Sequence, residues 1–245
     1  YLNEIGWINS YINKMPIDSF GRPVPWCTYG YIDFISPRLK KYMSIFEYGL
    51  GNSTLFNSDK VKKVTSVEHE KSWYDSFKNK VNNNSTIYYE FLEKKGYEKA
   101  PMRSNSFFDI IIVDGRKRVK CIKESINYLK EDGVIVLDDA HRSEYIEGVK
   151  FLEESGYKQL PFFGISPGFF SKNCTTIFYK KINCLGIWII PLTKIDKKIA
   201  IFKPYNARHN NAFGSGQYEI FKRINQYPEY EVTFFLDDKN VHFKG

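Results

Sequence analysis

The chain has little of what usually staples or metallates a small protein. Its four cysteines, Cys27, Cys121, Cys174 and Cys184, lie far apart with no Cys-x-x-Cys pair. That spacing argues against a zinc ribbon or a disulfide scaffold and favours reduced thiols. The four histidines, His69, His141, His209 and His242, show no His-Glu-x-x-His or related spacing, so no metal site is assigned from them. No stretch approaches the roughly 20 apolar residues of a membrane span. Nor does Tyr1–Ser10 carry a basic segment followed by an apolar one, so nothing there marks export. The expectation is a cytoplasmic chain with no membrane partner and no internal repeat.

Apolar residues, by contrast, are plentiful. Of 245 residues 42% are hydrophobic and 17% aromatic, with an ordinary charged fraction of 26%. This is the composition of a folded protein with room for one α/β domain and an extension. The formal charge of +8 comes mostly from scattered lysines. It reads as solubility with a preference for anionic partners, and it does not establish nucleic-acid binding.

From Met43 to Lys180 short β-branched or aromatic runs alternate with segments of helical period, the signature of βαβ units around a parallel sheet. Five runs read as strands: Ser44–Tyr48, Lys63–Glu68, Ser85–Tyr89, Phe108–Asp114 and Gly133–Asp138. Ile110–Val113 and Val134–Leu137 are apolar throughout, as strands covered on both faces should be. Between them Val119, Ile122, Ile126 and Leu129 form one helical stripe ended by Glu131-Asp132-Gly133. Trp73, Phe77 and Val81 form a second stripe. Ile146, Val149 and Leu152 form a third, closed by Gly156. Tyr157–Phe163 and Thr175–Lys180 read as an antiparallel edge hairpin.

The resulting division is residues 1–42, a cap with a helix at Tyr29–Leu39; residues 43–182, a ligand-binding core; and residues 183–245, an extension. In that extension lie the apolar runs Leu185–Pro191 and Ile199–Phe202, a polar loop at Tyr205–Gly216 and a candidate helix at Gln217–Asn225. Substrate contacts, a homodimer interface or added strands would each suit it.

The sharpest local signal is Phe46-Glu47-Tyr48-Gly49-Leu50-Gly51-Asn52-Ser53-Thr54, a strand leading through a glycine turn into a helix. Glycines there let a ligand approach backbone that a Cβ would block. Glu68 follows Gly51 by seventeen residues and ends the second strand, where an acid can accept both hydroxyls of a ribose. A dinucleotide site wants a third small residue where this chain has Thr54. Glu47 would also repel a pyrophosphate, yet it could meet the cationic amino-acid end of S-adenosylmethionine. Asn52 and Ser53 suit either helix capping or ligand contact.

With Glu47-x-Gly49-x-Gly51, Glu68 and Asp114 in place, the sequence resembles class I S-adenosylmethionine-dependent methyltransferases. It is most similar to a bacterial methyltransferase-like group mostly without assigned substrates, through Pro25-Trp26-Cys27-Thr28-Tyr29, Phe46–Leu55, Ser66–His69, Phe108–Arg116 and Gly133–Asp139. The resemblance covers roughly residues 20–180. It implies a doubly wound, mainly parallel seven-stranded Rossmann-like sheet, with Gly49 and Gly51 facing the methionine part of the cofactor and Glu68 the ribose. It further implies His69 and Trp73 at the adenine edge, Asp114 near the amino group or the methyl, and Trp26, Thr28 and Tyr29 closing the site.

For the transfer itself Asp138, Asp139, His141 and Lys117 are the candidates, because a positioned base must remove a proton where the acceptor requires it. His141 alone has an unperturbed pKa near neutrality. Asp114, Lys117, Asp138 and Asp139 also resemble the metal-binding set of catechol-type O-methyltransferases, with Asp139 where Asn is expected. Three carboxylates suit a divalent metal, although metal-free transfer is favoured. The expected acceptor is a small polar, even anionic, metabolite such as a sugar or sugar phosphate, methylated on oxygen or nitrogen. Arg116, Lys117, Arg118 and Lys120 are placed to steer a phosphate. A nucleic-acid methyltransferase is disfavoured for want of an RNA-binding module or an Asn-Pro-Pro-Tyr sequence after the fourth strand. A non-catalytic binder of the same fold is the third reading.

Overall fold

A computed structural model describes residues 1–94, 96–187, 198–202, 231–236 and 239–242. The chain divides into two compact units, Tyr1–Trp188 and Ile189–Gly245. Among the described residues no helix is long and apolar enough to cross a membrane.

The first unit opens with α1 (Trp7–Asn13) and α2 (Tyr29–Ile35). Alternation then runs through β1 (Ser44–Tyr48), α3 (Asn52–Ser58), β2 (Lys63–Glu68), α4 (Lys71–Phe77), β3 (Ser85–Tyr89), β4 (Phe108–Val113), α5 (Arg118–Ser125), β5 (Leu129–Leu137), α6 (Ile146–Glu154), β6 (Lys158–Gly164) and β7 (Asn173–Tyr179). These strands form one sheet in the order β3-β2-β1-β4-β5-β7-β6. The first five are parallel, while β7 runs antiparallel to both β5 and β6. The doubly wound sheet with an antiparallel edge hairpin is therefore present, and the strand order reverses beside β1, between β1 and β4. At such a reversal the loops leave the carboxyl edge in opposite directions and open a crevice.

The central strands justify their composition. Every residue of β4 is buried, as a strand covered by helices on both faces requires. Phe46, Tyr48, Phe108, Ile111, Ile122 and Leu152 share one core cluster. Gly156, at φ +85°, terminates the helix of the third stripe, and the Tyr157 amide donates to the Leu152 carbonyl at 3.0 Å, a left-handed cap of the expected kind.

Two expectations need correction. The stripe ending at Leu129 is not one helix, since α5 stops at Ser125 and Leu129 already begins β5. Glu131-Asp132-Gly133 does not end a helix either. Pairing jumps from Phe108–Leu129 to Ile110–Val134, so these residues sit in a strand irregularity, where bulges accommodate turn-like sequence. A Cβ on Gly133 would come within 2.6 Å of Leu129 Cγ.

The N-terminal segment is more than a helix at Tyr29–Leu39, because α1 precedes it and both are strapped to the β6–β7 loop. The Trp7 indole donates to the Phe169 carbonyl at 3.0 Å, and that of Trp26 to the Pro167 carbonyl at 2.8 Å. Thr28 donates its hydroxyl to the Phe162 carbonyl at 3.0 Å and its amide to Thr175 Oγ1 at 3.1 Å. Thr175 Oγ1 in turn donates to Asp138 Oδ1 at 2.6 Å.

In the second unit β8 (Lys198–Phe202) runs parallel to β9 (Glu231–Leu236), which pairs antiparallel with β10 (Lys239–His242). The run at Ile199–Phe202 falls within β8. The loop Tyr205–Gly216, the helix expected at Gln217–Asn225 and the end of the Leu185–Pro191 run lie outside the described residues.

One hydroxyl thus joins the N-terminal strap to the end of β5. Thr175→Val should cost about 1–3 kcal/mol, because it leaves the buried Thr28 amide unpartnered and removes a donor from the buried Asp138 carboxyl, whereas Thr175→Ser should cost far less. Denaturant unfolding of the two variants checks this, and equal midpoints would contradict the tie.

Candidate functional site

A cleft of about 870 Å³ lies along the carboxyl ends of β1, β2, β4 and β5. Its floor is the turn from β1 into α3. Gly49 holds φ at +108°, a conformation that costs most side-chain-bearing residues strain. A Cβ on Gly51 would meet nothing closer than the Trp73 indole at 3.9 Å. The turn therefore presents bare backbone to open space beside an aromatic ring, and that indole donates to the Leu50 carbonyl.

Beneath the turn Glu47 is 1% exposed. Its Oε2 accepts from Thr54 Oγ1 at 2.7 Å and Ser66 Oγ at 2.8 Å, and its Oε1 from Asn57 Nδ2 at 2.8 Å. Thr54 Oγ1 also accepts the Gly51 amide at 3.3 Å, a back-bond from the third helical position that closes the start of α3. Thr54, which sets this turn apart from a dinucleotide loop, thus fastens the glycine turn to the buried acid. Burial pushes the Glu47 carboxyl up while these donors hold it down. Asn52 does not cap α3. Gly51 occupies the cap position, and Asn52 Nδ2 instead donates to the Pro16 carbonyl at 2.8 Å.

Glu68 organises the adjoining wall. Its Oε1 accepts the amides of His69 at 2.8 Å and Glu70 at 2.7 Å, and its Oε2 accepts Leu50 at 3.2 Å. His69 Nδ1 lies 2.9 Å from Oε1, without the alignment of a hydrogen bond. Because Oε2 takes a single amide, it retains acceptor capacity. Ser53, His69, Glu70 and Trp73 line the same side of the cleft.

The opposite side carries Asp114, Asp138 and Asp139 at the ends of β4 and β5, with His141 and Arg142 beyond them. Among the three carboxylates lies Arg118, whose side chain is 10% exposed. Its guanidinium donates to Asp114 Oδ1 at 3.0 Å and to the carbonyls of Gly115 at 3.0 Å and Asp138 at 2.5 Å, and it stands 3.6 Å from Asp139 Oδ2. Arg142 pairs with Asp139 at 2.6 Å. The acid–guanidinium balance is uneven. Burial and then the charge of Asp138 raise the Asp114 carboxyl well above its usual range, moderated by Arg118 and by the 31% of its side chain that still meets solvent. Asp138 is pushed up to about 6, chiefly by burial and with Asp139 adding to it, despite its bond from Thr175.

Of the predicted residues, Trp26, Glu47, Gly49, Gly51, Asn52, Ser53, Glu68, His69, Trp73, Asp114, Asp138, Asp139 and His141 converge on this cleft. Thr28, Tyr29 and Lys117 do not. Thr28 is fully buried between β6 and β7. The Lys117 amine is drawn away to the Leu92 carbonyl and to Glu98 at 3.3 Å. Among the described residues no three His, Cys, Asp or Glu side chains are grouped to hold a metal, and the cation lying among Asp114, Asp138 and Asp139 is a guanidinium. Sequence reasoning missed Arg118 in that role, treating it as a phosphate-steering residue. Its position four residues after Asp114, at the first turn of α5, was the available signal. It also missed Met15 and Pro16 as cleft walls, and the β6–β7 loop with the start of β7 adds Ser166, Phe169, Ser171, Lys172 and Asn173 to the lining.

No protein-family model and no curated protein matches the sequence. Among solved structures, the chain is similar to a precorrin-6y C5,15-methyltransferase from Geobacter metallireducens at 18% identity, covering 61% of this chain and 86% of that one with a TM-score of 0.49. It is similar to a methyltransferase-like protein from Silicibacter pomeroyi at 19% identity, covering 69% and 92% with a TM-score of 0.47. It is likewise similar to an O-methyltransferase of tomaymycin synthesis from Streptomyces achromogenes, solved with S-adenosylmethionine, at 14% identity, covering 60% and 76% with a TM-score of 0.47. Likenesses this distant carry no substrate and no residue role to this chain, which rest on the side chains of its own cleft.

Proposed function

We propose that the chain is an S-adenosylmethionine-dependent methyltransferase acting on an oxygen or nitrogen of a small polar acceptor, with sugars and sugar phosphates the favoured class. The observation that carries this reading is the charge of the cleft. Glu47, Asp114 and Asp138 meet at the ends of β1, β4 and β5, and with Glu68, Glu70 and Asp139 they make six carboxyls on the cleft against the four basic side chains of Arg116, Arg118, Arg142 and Lys172. A cleft with acid in excess suits a cationic ligand and repels a pyrophosphate.

The residues present fit that cofactor. Gly51 leaves open space beside the Trp73 ring, which suits a flat nucleoside lying over bare backbone. Glu68, with spare capacity on Oε2, would accept the ribose hydroxyls, and His69 and Trp73 would flank the base. Asp114 would take the ammonium end. S-adenosylmethionine, when bound, supplies a methyl group on a sulfonium already activated for transfer. The chain has then to align the acceptor, exclude water and take a proton. Trp26 and Phe169, whose rings lie 5.4 Å apart, wall the cleft toward the N-terminal strap. His141, exposed at the mouth, is the general base of this reading, while Asp138 stays bonded to Thr175.

Calorimetric titration with S-adenosylhomocysteine tests the cofactor half. Wild type should bind, and Glu68→Ala should weaken binding about tenfold or more, as loss of hydrogen bonds to a charged group does. Absence of binding to wild type at millimolar ligand would overturn the reading. His141→Ala should lower turnover with S-adenosylhomocysteine affinity intact, and unchanged turnover would remove His141 as the base.

A pH dependence follows from Asp138. A carboxyl raised in the folded state costs stability once the pH exceeds its unfolded value, and in full above about 6. A bound cation offsets that cost only while the carboxyl is ionised. The affinity ratio of S-adenosylmethionine to S-adenosylhomocysteine should therefore rise as pH climbs through about 6, and Asp138→Asn should flatten the rise. A ratio flat from acid to neutral pH in wild type would contradict it.

A further inference from the structure

The two sides of the cleft differ in charge beyond what binding the cofactor requires. The side formed by β1 and β2 is lined by Glu47, Glu68 and Glu70. On the other side, which also carries Asp114, Asp138 and Asp139, three loops neighbouring in the sheet bring basic side chains to the cleft: Arg116 after β4, His141 and Arg142 after β5, and Lys172 just before β7.

Topology makes these three neighbours. β4, β5 and β7 are adjacent in the sheet. Because β7 is antiparallel to β5, its beginning lies at the carboxyl edge of the parallel strands. The Ala140 amide donates to the Cys174 carbonyl at 3.0 Å, which brings the chain at His141 alongside the start of β7. Other basic residues nearby are engaged: Arg118 and Arg142 by Asp114 and Asp139, and Lys117 by Glu98. Arg116 and Lys172 have no carboxylate partner among the described residues, and Lys172 stands 4.9 Å from the Phe163 ring centre. Both are exposed, at the mouth of the cleft.

We infer that Arg116 and Lys172 form an anion-holding wall flanking His141, and that the methyl acceptor carries a phosphate or a carboxylate group. The inference rests on the methyltransferase reading and deepens it. Two cations on either side of the base would hold the charged end of an acceptor and turn a neighbouring hydroxyl or amine toward His141. Ser166 and Ser171, on the same cleft, add hydroxyls for the neutral part of such a molecule. The acid-rich floor would repel that acceptor from the cofactor's own place, so the polarity of the cleft sorts the two ligands.

The test uses the full chain loaded with S-adenosylhomocysteine and three probes: glucose 1-phosphate, glucuronate and neutral glucose. At least one anionic probe should bind about tenfold tighter than glucose, with affinity falling as salt rises toward roughly 0.3 M. Arg116→Gln combined with Lys172→Gln should abolish that preference while S-adenosylhomocysteine affinity is retained. Preference for the phosphate or for the carboxylate probe identifies the group. If the loaded protein binds no anionic probe better than glucose, or the double variant keeps the preference, the inference is overturned and the methyltransferase reading stands. Failure of wild type to bind S-adenosylhomocysteine would overturn that reading instead.

Discussion

A single buried carboxylate sets the geometry on which the cleft depends. Glu47 collects one donor from β2 through Ser66 and two from α3 through Thr54 and Asn57, so strand, turn and helix share one anchor. An acid is costly to bury unless it is this well satisfied. With Glu47 so held, the glycine turn has a fixed height above the sheet and the remaining groups a surface to be arranged around. Glu68 reaches the same turn from the other side through the Leu50 amide. The turn is held by two acids, one beneath it and one beside it.

Arg118 plays the complementary part at the ends of β4 and β5. It binds backbone carbonyls of Gly115 and Asp138 as well as the Asp114 carboxylate, so its fork fixes where those strands end and not only how they are charged. A planar guanidinium with five donors can do this, and an ammonium could not reach all of the same acceptors at once. Asp139 is shared between Arg118 and Arg142, so the two guanidinium groups stand against three carboxyls at this end of the cleft.

How much of this could be read from the sequence follows from how local each signal is. Ser44–Tyr48, Lys63–Glu68 and Ser85–Tyr89 are strands with the bounds their residue types imply, because β-branched runs between turn residues report on themselves. Glu47, Gly49, Gly51 and Glu68 were legible for the same reason, as spacing along a strand–turn–helix unit. What escaped depends on partners distant in sequence. Thr28 looked like a cofactor contact until Phe162 and Thr175 claimed it, and Lys117 looked catalytic until Glu98 did. Leu129 fitted a helical stripe equally well as a strand start, and only pairing with Phe108 decides between them.

The strap across the cleft has a consequence in time. Trp7 meets Phe169 across 162 residues, Thr28 meets Thr175 across 147, and Trp26 meets Pro167 across 141. On a ribosome adding roughly 5–20 residues per second, the first residues wait many seconds for partners not yet made. The glycine turn, Glu68 and the first parallel strands are complete well before that. The nascent chain thus builds the glycine turn of its cleft first and the strap last, and until the β6–β7 loop emerges Trp7 and Tyr11 of α1 lack their partners Phe169 and Phe170.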